Sequence, residues 1–258
     1  MRRIFALALI ASFGAGCNAQ PPANNAAVSV VYSDVEPVTL KASDGVTVHG
    51  RSYKAANPKA LILLFHQAGS SKDEYATIAP RLVAAGYSAL AIDQRAGGGL
   101  YGTNETAKTF GREVPFREAM PDLQAALDWG RRQKLPIILW GSSYSAALVF
   151  PLAAEHPDGI VAVLSFSPGE YFDGDPPVAP AAAKLHIPVL IASGTSRDET
   201  DEADPIFAAL PKSAANVRLV PEHGVHGSST LVAAKNPQGA DANFAVVLGF
   251  LNRGVPAK

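Results

Sequence analysis

Ser143 stands in Gly141-Ser142-Ser143-Tyr144-Ser145, after the apolar run Ile137-Ile138-Leu139-Trp140 and before Ala146-Ala147-Leu148-Val149-Phe150. A strand turned sharply into a helix through Gly-x-Ser presents a serine hydroxyl as a nucleophile. The turn brings its flanks close together, so positions 141 and 145 must be small. Ser145 takes the place of the usual second glycine and is small enough. A serine hydroxyl attacks poorly at neutral pH because its proton must leave. It needs a base within hydrogen-bond reach and an acid that orients the base. It also needs N–H groups aimed at the developing oxyanion.

The expected base is His226, in the loop Glu222-His223-Gly224-Val225-His226-Gly227-Ser228 after the final strand, with His223 as its competitor. His156 and His186 sit beside Pro or Ile at element edges and read as structural; His49 is a poorer candidate too. The acid should follow the strand at 189–192, within Ser193-Gly194-Thr195-Ser196-Arg197-Asp198-Glu199-Thr200-Asp201. Asp198 fits the first loop position that could turn back to the sheet end. Glu199, Asp201 and Asp204 compete with it, and Asp173 and Asp175 are further candidates. The loop His66-Gln67-Ala68-Gly69-Ser70-Ser71 follows an early strand, and its small residues let backbone approach a substrate oxygen. The expected oxyanion hole is the N–H of Gln67 with that of Tyr144, while His66 braces the loop.

The elements needed to position these residues are legible. Stretches 38–41 and 46–53 form a hairpin around Asp44-Gly45. The continuous apolar run 61–65 suits a strand buried on both faces. Strands follow at 88–92, 137–140, 160–166, 189–192 and 217–220; helices are expected at 75–85, 120–132, 146–155, 205–210 and 243–252. This alternation predicts an α/β fold with a mostly parallel sheet flanked by helices, whose ligands bind outside the carboxyl ends of the strands. The longest irregular stretch, 94–113, is either a substrate-facing lid or a plain surface loop.

With 258 residues, 48% hydrophobic, the chain can build one substantial core. A net charge of −1 and a pI near 6.6 give no reason to expect nucleic acid as a partner. No His, Cys or carboxylate group has metal-ligand spacing, so neither metal nor cofactor is expected. Residues 1–17 read as an export signal: Arg2 and Arg3, a short apolar stretch, then small residues before the sole cysteine, Cys17. That ending resembles a bacterial lipoprotein lipobox, with Gly14 where leucine is usual. The resemblance implies lipid on Cys17 and a membrane-anchored or periplasmic product. The alternative is a simple secretory signal cut near Ala19. Residues 18–34, rich in Ala, Asn, Pro and Ser, read as a flexible tether, and 35–258 as the folded domain.

Residues 36–253 resemble the α/β-hydrolase fold family. The order Ser143, Asp198, His226 is that family's order of nucleophile, acid and base. His66-Gln67-Ala68-Gly69 is similar to its His-Gly oxyanion loop, and Asp93-Gln94-Arg95-Ala96-Gly97 to its Asp-x-Arg-Gly segment. The overall shape is similar to the dienelactone-hydrolase-like members, with Ser143 where they carry a nucleophilic cysteine. About twenty residues separate Phe166 from Ile187, too few for a large helical cap. The resemblance implies a serine hydrolase, with a small or medium ester as the expected substrate. Peptidase, thioesterase and acyltransferase share the constellation, and a non-catalytic envelope binding protein is the rival class.

Overall fold

The computed structural model describes residues 35–254. The expectations for residues 1–34, including Cys17, lie outside the described residues.

Strands β1 (Val35–Lys41) and β2 (Thr47–Tyr53) pair antiparallel, as the Asp44-Gly45 turn requires. The apolar runs become β3 (Leu61–Phe65), β4 (Ser88–Ile92), β5 (Ile137–Ser142), β6 (Ile160–Phe166) and β7 (Val189–Ala192), and β8 (Val217–Leu219) closes the sheet. The eight strands lie in the order β1-β2-β4-β3-β5-β6-β7-β8. Pairings from β4 to β8 are parallel, and β2 joins β4 antiparallel.

Helices cover both faces: α1 (Ala79–Ala84), α2 (Glu105–Phe110), α3 (Met120–Arg132), α4 (Tyr144–Glu155), α5 (Val178–Ala182), α6 (Arg197–Ala209) and α7 (Ala240–Gly254). Side chains alternate across the central strands. Leu61, Leu63 and Phe65 pack with α3 and α4, while Ile62 and Leu64 pack with α1 and α7. All five are at most 1% exposed, and each such burial contributes about 1.5–3 kcal/mol. Apolar runs without alternation, as in β3, follow from burial on both faces.

Three expectations are corrected. The helix expected at 75–85 is split into a 3-10 turn, Lys72–Tyr75, and α1. Helix α2, capped by Asn104, lies inside the stretch expected to be irregular. The helix expected at 205–210 is the end of α6, which begins at Arg197. The residues between β6 and β7 form only α5 and its flanking loops, with no inserted cap.

Candidate active site

The β5–α4 junction is the sharp turn that the sequence predicts. Ser143 has φ 58° and ψ −124°, a left-handed conformation that a side chain adopts only under constraint. Its N–H donates to Phe166 O at 2.8 Å, locking the turn to β6. A Cβ at Gly141 would collide with the backbone of Ser145 and Ala146, so that glycine is sterically required. Ser145 does more than fit: its hydroxyl donates to His66 O at 2.6 Å and accepts from Gln94 Nε2 at 2.5 Å.

His226 follows β8 and is partly exposed, its ring facing a carboxylate across 3.0 Å. That carboxylate is Glu199, not Asp198. Ser196 caps α6, and its hydroxyl accepts from the Glu199 N–H at 3.3 Å. Position 198 therefore projects into solvent, where Asp198 makes no side-chain hydrogen bond among the described residues. Position 199 points back to the sheet edge. Glu199 Oε1 meets His226 Nδ1, while Oε2 accepts from Ser167 Oγ at 2.5 Å and Gly194 N at 2.6 Å. A Cβ on Gly194 would sit 2.9 Å from both carboxylate oxygens, so the acid has room only beside glycine. The signal that could have found it was Ser196-x-x-Glu199, which has the spacing of a helix-opening capping box.

Partial burial pushes the Glu199 carboxyl up, but hydrogen bonds from His226, Ser167 and Gly194 outweigh it and hold the pKa at about 2. The same carboxylate holds His226 above the ordinary histidine value, against its own partial burial. The imidazole is thus oriented through Nδ1, and Nε2 has no partner among the described residues. Ser143 Oγ makes no hydrogen bond with His226 in this structure. The two loops are joined one step away, where Ser228 N donates to Ser142 Oγ at 2.8 Å, and Gly227 N ties the His226 loop to Ser167 Oγ beyond β6 at 2.9 Å. The His223 ring has only Glu222 as an acidic neighbour, at 3.9 Å, and its backbone oxygen accepts from Asn236 and Asn243 at 3.0 and 2.9 Å.

The structure removes Gln67 from the expected oxyanion pair. The Gln67 N–H already donates to Glu74 Oε2 at 2.9 Å and is not free for a substrate. The next amide, Ala68, has no partner among the described residues. Neither has that of Tyr144, which opens α4 and so lacks an intrahelical acceptor. Behind this loop the Asp93-Gln94-Arg95 segment acts as a brace. His66 is fully buried; its Nδ1 donates to Gln67 O at 2.8 Å, and its Nε2 accepts from Gln94 N at 3.0 Å. Burial pushes its pKa down to about 4, so the ring stays neutral. Asp93 pairs with Lys72, and Arg95 with Asp122 and Asp44.

Beside the oxyanion loop lies a cavity of about 600 Å³, walled by Ala68, Gly69, Ala96, Val114, Phe116 and others. Phe116 stacks on the Tyr144 ring with centroids 4.7 Å apart, which links this wall of the cavity to the first residue of α4.

A family model described as serine aminopeptidase, S33, matches residues 56–201, which is more than half of the chain. The chain belongs to this S33 family of α/β-hydrolases. Among curated proteins, none matches it in sequence. Solved structures show the same fold at low identity. A carboxyl esterase of Bacillus coagulans superposes with a TM-score of 0.68 at 12% identity, covering 87% of this chain and 100% of that one. A dienelactone hydrolase of Anabaena variabilis gives 0.67 at 19% identity, covering 86% and 99%. An esterase of Pyrococcus furiosus gives 0.64 at 18%, covering 86% and 94%. This α/β-hydrolase is therefore a hydrolase whose chain spans nearly the whole length of these neighbours.

Proposed function

We propose that the chain is an exported serine carboxylesterase acting on uncharged esters with a small or medium acyl group. The observation that supports this most is the Glu199–His226 pair, at the same sheet edge as the strained Ser143 turn. Ser143 Oγ attacks the acyl carbon while His226 Nε2 takes its proton. Glu199 accepts from Nδ1–H and stabilises the imidazolium. The carbonyl oxygen becomes an oxyanion and accepts from the Ala68 and Tyr144 amides. His226 then gives its proton to the departing alcohol, leaving an acyl-Ser143. Water, deprotonated by His226, attacks the acyl carbon, and the returning proton restores Ser143.

Two features favour an uncharged acyl group. The cavity next to the oxyanion loop is lined mainly by small and apolar side chains. Its arginines are already neutralised, Arg95 by Asp44 and Asp122, and Arg112 by Glu118 at 3.1 Å. The neighbouring esterases bear on the same reading. The test is to incubate the protein with a fluorophosphonate, map the label, and compare p-nitrophenyl esters with acyl and aminoacyl p-nitroanilides. Label on Ser143 with ester turnover is expected. Turnover of aminoacyl anilides alone would make it a peptidase, and no label with no turnover would make it a binding protein.

The proposal of export rests on residues 1–17 and includes lipid on Cys17. Globomycin should then cause the precursor to accumulate, whereas a soluble product beginning near Gln20 would favour simple secretion.

A further inference from the structure

Three carboxyls are buried on the oxyanion side of the site, and two of them face a cation: Asp93 faces Lys72, and Asp122 faces Arg95. Glu74, 1% exposed, faces none among the described residues. A buried carboxyl without a counter-charge is costly unless it is hydrogen-bonded or neutral, and burial pushes the Glu74 carboxyl toward the neutral form. Its Oε2 takes the Gln67 N–H at 2.9 Å, which fixes the peptide plane immediately before the Ala68 amide.

Glu74 Oε1 and Ser70 Oγ are the buried side-chain polar atoms left without a partner among the described residues. Ser142 Oγ, which also lies close to the carboxyl, accepts from Ser228 N and still has a proton to donate. Gly227 must be glycine here, since its Cβ would sit 2.5 Å from Ser142 Oγ. The neighbouring Tyr75 hydroxyl donates to Phe65 O at 2.6 Å and lies 3.5 Å from Ser228 Oγ, which takes the Trp140 indole N–H at 2.9 Å. Glu74 thus lies where the oxyanion loop, the Ser143 turn and the His226 loop converge.

We propose that Glu74 is a positioning residue for the reaction, one carboxyl that fixes the oxyanion loop through the Gln67 amide and the base loop through Ser142. This rests on the serine-hydrolase reading above. The geometry is a matter of bonding rather than charge. Glutamine has the same shape and keeps an acceptor for the Gln67 N–H, whereas leucine leaves that N–H buried and unpaired. Ser142 is then a relay, and its loss should act through the same path as loss of Glu74.

The test compares Glu74→Leu, Glu74→Gln and Ser142→Ala in the full chain. Each is assayed on p-nitrophenyl butyrate and by hydrogen exchange at the Gln67 amide. Glu74→Leu should lower kcat roughly 100-fold, the scale of losing an oxyanion donor, with KM within about threefold. Its Gln67 amide should exchange faster. Glu74→Gln should restore kcat to within about fivefold of the parent and keep the amide protected. Ser142→Ala should lower kcat about tenfold, and by less than that in the Glu74→Leu background. If Glu74→Leu does not fold, the Gln and Ser142→Ala variants still decide the matter. A loss in Glu74→Gln as large as that in Glu74→Leu would overturn the bonding role. So would an effect of either variant on KM alone. A parent chain that turns over no ester would sink the hydrolase reading, while exchange at Gln67 would still judge the latch.

Discussion

On one side of Ser143, the loop carrying the Ala68 amide rests on enclosed polar groups. His66, Gln94 and Ser145 are fully buried and tied together by hydrogen bonds of 2.5–3.0 Å. On the other side, the His226 side chain is 44% exposed, and its partner Glu199 18%. In the proposed mechanism the first side holds N–H groups where negative charge develops, and preorganised donors act most strongly away from water. The second moves a proton between serine, leaving group and water. Its base needs orientation through one nitrogen and access at the other. The contrast also separates two carboxyls: at Glu74 bonding geometry should matter, and at Glu199 charge.

The largest effects should come from the residues that join the two sides. Ser143→Ala should abolish ester turnover, a loss of roughly 10³–10⁶-fold, while leaving the thermal unfolding midpoint close to the parent's. His226→Ala should be nearly as damaging, and the double variant little worse, because the pair acts as one unit. Separate, multiplying losses would break the idea that the open side works only through Ser143.

Next in size is the acid. Glu199→Gln keeps the shape but removes the charge that stabilises the imidazolium, so kcat should fall by roughly 10²–10⁴-fold. Asp198→Asn, on the outer face of α6, should stay within about twofold. Steady-state rates on one active ester settle the matter. Strong loss at Asp198 and none at Glu199 would mean that α6 starts one residue earlier in the working enzyme.

That one-residue difference marks how far the sequence could be read. The strands 61–65 and 137–140 were legible because burial on both faces leaves an unbroken apolar run. The Ser143 turn was legible because steric demand restricts Gly141 directly. The acid was not, because a helix start sets which of two adjacent carboxylates points inward, and the apolar pattern does not reveal that Ser196 caps α6. Gln67 was misassigned for a different reason. Its amide is taken by Glu74, seven residues on, through a 3-10 turn that the hydrophobic pattern does not reveal. Local spacing identified the loops; contacts between loops chose the atoms.

The pH profile sharpens the electrostatic half of the comparison. His226 must be neutral to accept the serine proton, and Glu199 raises its pKa. The acid limb of kcat/KM should therefore lie above 6.5, the ordinary histidine value, and Glu199→Gln should move it down. Stability follows the same signs. The raised His226 contributes stability that is fully present below about 6.5 and is lost as pH rises through its folded value. The depressed Glu199 contributes above about 4.5, and loses this as pH falls toward about 2. Glu199→Gln should thus lower the unfolding midpoint most near pH 5–6 and least near pH 9. A uniform decrease across that range would assign Glu199 a packing role instead.

The smallest expected effect concerns the cavity on the enclosed side. Val114 is half-buried and forms part of its wall, away from every hydrogen bond of the brace. Val114→Trp should fill space that a longer acyl chain needs while leaving the Ala68 and Tyr144 amides in place. Each methylene lodged in an apolar pocket favours the longer substrate by about 1–3 kcal/mol. Blocking the pocket should therefore cost p-nitrophenyl octanoate roughly 10–200-fold in kcat/KM, with the acetate within about threefold. The loss should appear in both terms, since remote acyl contacts help to orient the carbonyl as well as to bind it. Equal losses for acetate and octanoate would mean that the indole disturbs the oxyanion loop itself. No change for either would place the acyl group on the open side, against the His226 loop, leaving the cavity to the alcohol or to solvent.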